Sequence, residues 1–221
     1  MESKEAAIYG DDVLALLNKA RTTLCQKYGL ELKETITVEI FPDPNDFAVR
    51  TFGLPGAGGY LGVCFGRVIT ANSPASQAEH PANWQAVLWH EFCHVVTLEL
   101  TKNRMPRWLS EGISVYEERL ANPAWGERMS PRYREWILTG RLTPLDEMSG
   151  AFLSPESPLH LQFAYYQASL VVQVIRSPHP HASFNFGDLD GFLEANPGIA
   201  AILTATDVPG RNAYGVIPAF V

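Results

Sequence analysis

His90-Glu91-Phe92-Cys93-His94 sets two imidazoles at positions i and i+4, with a carboxylate beside the first. On a helix those positions lie one turn apart on one face, so both rings can bind a single metal ion. Glu91, rotated by one position, reaches a water on that ion without ligating it. Two imidazoles leave a zinc site incomplete, because a catalytic zinc takes three protein ligands and keeps one open position. The candidate third ligand is Glu111, seventeen residues past His94 in Arg107-Trp108-Leu109-Ser110-Glu111-Gly112-Ile113. A turn at residues 103–106 sends a second helix back across the first and carries Glu111 to the ion. Gly112 beside it permits close approach of the two helices. The plain alternative is an exposed glutamate at a helix start, and against it stands the unfilled zinc position.

These residues need a rigid support. Residues 83–100 read as the strongest helix of the chain, with Asn83 as its N-cap. Their apolar side chains occur nearly all round the wheel, which predicts a buried central helix. The two histidines and the glutamate are its polar exceptions, and buried polar groups must be satisfied by something. Helical patterns follow at 106–120, about 130–139, about 163–176 and, shortest, 188–195. Upstream, residues 11–28 repeat apolar positions at 3–4 spacing, with Asp11 or Asp12 as cap and Gly29 as stop. Residues 35–41 alternate as a half-buried strand that Pro42 and Pro44 end. The glycine-rich stretch 53–66 lacks both the GxGxxG register and a Gly-Lys-Ser/Thr, so it is no phosphate loop. It feeds a strand pair, 60–65 and 67–72. The second of these is expected as an edge strand able to pair with an extended peptide through its main chain. Residues 195–221 carry only Asp207 and Arg211 as charges. They are too apolar for a free tail and are expected to pack on the body or continue into further sequence.

Composition narrows the partners. The chain has 221 residues, a formal charge of −7, 46% hydrophobic and 19% charged residues, a globular profile. Net negative charge without a basic run excludes nucleic acid or an anionic membrane surface as the main partner. No apolar run reaches the length of a membrane span. The start has no basic region followed by an apolar core, so no signal peptide is expected and a cytoplasmic location is favoured. Cys25, Cys64 and Cys93 have no paired spacing and read as reduced thiols. His179-Pro180-His181 reads as a proline-rich surface loop, and His80 and His160 have no spaced partner.

HEFCH followed by RWLSEGISVYEE resembles the HExxH…WLxEGxAxYxE pattern of gluzincin metallopeptidases, namely the aminopeptidase-N-like family and the related peptidase MA-like bacterial proteins. The resemblance covers about residues 59–176. It implies that His90, His94 and Glu111 bind zinc, that Glu91 is the general base, and that Glu118 hydrogen-bonds a ligand histidine. For Glu118 the alternative is a solvent-facing carboxylate. Family members also aim a tyrosine from a later helix at the reacting carbonyl. Ala164-Tyr165-Tyr166-Gln167 resembles that stretch and its register favours Tyr165, while core packing of both tyrosines is the other reading. The GxMEN motif that holds a substrate's free N-terminus is absent, and the His94–Glu111 spacing is slightly shorter than in the aminopeptidases. The implied fold is an α+β zincin-like domain with an N-terminal lobe over about 1–100, a mostly helical lobe over about 101–221, and zinc in the cleft. The implied activity is hydrolysis of peptide bonds in a peptide or protein substrate. The alternative is a non-catalytic, zinc-stabilised module that binds peptides or a partner domain. Hydrolysis of a non-peptide amide is a third reading that the sequence does not separate from the first.

Overall fold

Lys4, Glu5, Ala6 and Ala7 are good helix formers, and the first helix, α1, accordingly spans Ser3–Tyr28. Asp11 and Asp12 therefore lie inside it rather than at its cap, since Gly10 in a helix interior costs only about 1 kcal/mol. Val13, Ala20, Leu24 and Tyr28 form its buried stripe. Gly29 stops it in the left-handed region, at φ 63°. In all, the computed structural model describes residues 3–54, 60–77 and 83–176. The short helix expected at 188–195, the apolar stretch 195–221, His80, His179 and His181 lie outside the described residues.

The chain divides into two compact units, Met1–Glu99 and Leu100–Val221. The first holds a three-stranded sheet. Strand β1 (Thr37–Phe41) is followed by helix α2 (Pro44–Phe52), then by β2 (Gly62–Cys64) and β3 (Val68–Asn72). Asp43 caps α2, accepting hydrogen bonds from the Asn45 and Asp46 amides at 2.7 and 3.1 Å, and Pro44 occupies the first turn. The sheet order is β1-β3-β2. β1 and β3 run parallel, from Thr37 opposite Val68 to Phe41 opposite Asn72. Parallel neighbours need a crossover, and the segment carrying α2 supplies it. β2 runs antiparallel to β3, with Gly62 opposite Ala71 and Cys64 opposite Ile69.

This order corrects the expectation for residues 67–72. β3 is the central strand, paired on both sides, and its Ile69, Thr70 and Ala71 are buried. Its main chain has no side left for a peptide. Among the described residues, the strands with an unpaired side are β1 and β2.

Helix α3 (Trp84–Thr101) has the burial its composition demands, with Ala86, Leu88, Trp89, Phe92, Cys93, Val95 and Val96 all inside. Asn83 starts it by accepting the Ala86 N–H at 3.2 Å. Lys102 and Asn103, both left-handed at φ 53° and 59°, end it. The second unit contains α4 (Arg107–Ala121), α5 (Pro131–Leu138), α6 (Met148–Leu153) and α7 (Pro158–Arg176). Tyr133 of α5 packs with Phe163 and Tyr166 of α7. Gly112 of α4 lies against α7, where an added Cβ would sit 2.6 Å from the Ala168 carbonyl oxygen. The close approach this glycine permits is thus between α4 and α7. The fold is mixed α+β and mostly helical. No described helix is long and apolar enough to cross a membrane.

Candidate metal centre

His90 and His94, one turn apart on α3, stand with ring centroids 4.7 Å apart and planes at 81°. Both are half-buried. Glu111, in the first turns of α4, is 6% exposed. It is no solvent-facing helix-start glutamate. One ligand atom from each of these residues lies within 4.8 Å of the others. Around a tetrahedral ion with bonds of about 2.0–2.2 Å, donor atoms stand about 3.4 Å apart, so small side-chain rotations close the set. Two imidazole nitrogens and one carboxylate oxygen are donors that suit a first-row divalent ion. Among the described residues no fourth His, Cys, Asp or Glu joins the group. The Arg107 guanidinium, one turn before Glu111, approaches its Oε1 at 3.6 Å.

Glu91 is 7% exposed and buried on α3 beside His90. β2 runs past it. A Cβ built on Gly62 would lie 2.9 Å from Glu91 Cγ. The Cys64 thiol, two residues along β2, is pushed up to about 12, first by burial and then by the Glu91 charge, and it donates to the Gly66 carbonyl at 3.4 Å. Cys64 is therefore an inert thiol rather than a nucleophile. Cys25 is half-buried and Cys93 buried, both also as thiols.

The two tyrosines separate clearly. Tyr166 is core: it is 6% exposed, stacks on Tyr133 with centroids 5.2 Å apart, and burial raises its phenol. Tyr165 is half-buried, its ring edge-on to Phe152 at 5.0 Å. Glu118 is buried, 7% exposed, which removes the solvent-facing reading. Its charge acts on both Arg119 and Glu127.

Three features lie outside what the sequence reading found. Glu117 is 2% exposed, the most buried carboxylate on α4. Arg119 donates to the Glu127 carbonyl at 3.0 Å and to Ser169 Oγ at 2.7 Å, tying α4 to the following loop and to α7. Gly62 meets Glu91 across the sheet–helix interface of the first unit. The Glu117-Glu118-Arg119 run was visible as charge on an otherwise apolar helix; the Gly62 contact has no local signal. Comparison with family models, curated proteins and solved structures finds no match to this chain. The gluzincin resemblance rests on its two motifs.

Proposed function

We propose that the chain is a zinc-dependent metallopeptidase of the gluzincin kind, with a zincin-like fold. One observation carries the reading: His90, His94 and Glu111 offer donor atoms within 4.8 Å of one another, next to a buried Glu91 that is not among them. A structural zinc site usually closes with four protein ligands, whereas a catalytic one has three and an open position. Bound there, zinc would polarise the scissile carbonyl and acidify the attacking water. Glu91 takes the proton from that water and delivers it to the leaving amine. Tyr165 donates a hydrogen bond to the developing oxyanion. Glu118 holds the outer N–H of a ligand imidazole. An extended peptide adds to the unpaired side of β2, the strand that runs past Glu91, and its main-chain groups supply the pairing.

The test joins zinc analysis to cleavage of a peptide library, with and without chelator, on the wild type and on Glu91→Gln. Expected are one zinc per chain in both proteins and chelator-sensitive cleavage by the wild type. In Glu91→Gln cleavage should be lower by about 10²–10⁴-fold, the range for loss of a positioned acid–base group. Unchanged turnover in the variant refutes the role of Glu91. Zinc without cleavage in the wild type points to the non-catalytic module, and cleavage confined to non-peptide amides in a substrate screen points to an amidohydrolase.

A further inference from the structure

β2 passes close against the candidate base. A Cβ added to Gly62 would lie 2.8 Å from Val87 Cγ1, 2.9 Å from Glu91 Cγ and 3.1 Å from Glu91 Oε1. Non-bonded carbon atoms normally stand about 3.5–4.0 Å apart, so no side chain fits while Glu91 holds its place. The backbone does not explain the glycine. Gly29, Gly53, Gly66, Gly126 and Gly140 have positive φ, and Gly62 is not among them. What excludes a side chain at this position is the face of α3 that presents Val87 and, one turn on, Glu91.

We propose that Gly62 is a positioning residue for Glu91. Its bare main chain forms one wall of the lane in which the carboxylate lies, which limits the rotamers open to that side chain. Cys64, two residues along, lies on the same face of the strand. The inference rests on the reading of Glu91 as general base, and a base must stand within hydrogen-bond reach, about 2.6–3.2 Å, of the water it deprotonates.

Gly62→Ala in the full zinc-loaded chain tests it. Two of the three overlaps fall on the Glu91 side chain and the tightest, 2.8 Å, on Val87 Cγ1, so alanine fits only where both side chains give way. A crystal structure of the variant should show Glu91 displaced while the His90 and His94 rings keep their positions, with zinc content unchanged. Turnover number should fall about 10–100-fold with KM within about threefold, the cost of an ångström-scale misplacement. Adding Val87→Ala relieves the other overlap and should not restore turnover. This double variant carries the same readouts if Gly62→Ala alone fails to fold. An unmoved Glu91 carboxylate, wild-type turnover in Gly62→Ala, or full recovery in the double variant overturns the proposal. A wild type that binds zinc but cleaves nothing overturns the peptidase reading instead, and the carboxylate position in the crystal then decides the role of Gly62 on its own.

Discussion

Gly112→Ala measures how tightly α4 is pressed onto α7. The added methyl would lie 2.6 Å from the Ala168 carbonyl oxygen, 2.7 Å from its carbonyl carbon and 3.1 Å from its Cβ. The first two are main-chain atoms of a helix and cannot rotate away, so the helices must part by most of an ångström. Overpacking of this kind costs about 1–3 kcal/mol, and a backbone obstacle puts it at the upper end. Against it, replacing glycine by alanine in a helix interior contributes about 1 kcal/mol of propensity. The clash wins by about 1–2 kcal/mol. At about 2–4 °C per kcal/mol for a chain of this size, Tm should fall by about 2–8 °C in differential scanning calorimetry. Gly150→Ala on α6 is the control. A Cβ there meets nothing within 4 Å, and the backbone effect alone should stabilise by about 0.4–1 kcal/mol. The two substitutions should shift Tm in opposite directions. A Gly112→Ala protein as stable as the wild type refutes the claim that close helix contact, rather than chance, put glycine beside Glu111.

Glu111→Ala should weaken zinc binding by more than about 100-fold, because even groups one layer behind the ligands are worth about 10–100-fold; full zinc occupancy in elemental analysis removes Glu111 from the ligand set. Glu127 gives a pH signature. Burial, followed by the Glu118 charge, raises its carboxyl, and the hydrogen bond from Tyr133 Oη to Glu127 Oε2 at 3.1 Å only partly offsets this. The folded chain therefore binds more protons than the unfolded one above the ordinary carboxylate value of about 4.3, and stability from this group falls as pH rises through that window. Glu127→Gln should accordingly gain stability relative to the wild type between about pH 4 and pH 7 in urea denaturation. An equal difference at both pH values contradicts the assignment.

Local signals in the sequence were faithful where one residue decides the structure. Asn83 caps α3 and Gly29 ends α1 as their types require. The HEFCH register put both histidines on one face. Asp43-Pro44 was an equally good start signal for α2, with an acceptor at the cap and proline at the first position, but the neighbouring prolines read as nothing more than the end of β1. Asp11 and Asp12 misled locally too, because α1 begins at Ser3, and the remaining errors lie at longer range. A run such as VITAN shows the alternation of a strand and nothing about its neighbours, so the central place of β3 follows only from its pairing with both β1 and β2. Gly112 showed that two helices meet closely at that point but not which two. Likewise Gly62 is one of several glycines in a loop-rich stretch until α3 is laid against it. Contacts between residues far apart in sequence leave no mark on either residue alone.

Glu91 offers a way to separate function from scaffolding. A carboxylate that is 7% exposed is costly to hold in an apolar helix, since desolvating a charge costs several kcal/mol that its partners must offset. Glutamine keeps the shape and an acceptor oxygen while removing the charge that burial penalises. If Glu91 is there for chemistry, Glu91→Gln should melt no lower than the wild type while losing hydrolysis, the opposed signs expected where activity requires a destabilised group. If Glu91 instead anchors the fold, for example by fixing β2 on α3, the same substitution should lower Tm by several degrees, as removal of one member of a buried network does. Paired measurements of Tm and turnover on that single variant thus distinguish a base from a structural carboxylate, and a marked drop in Tm counts against the catalytic assignment even if activity is lost.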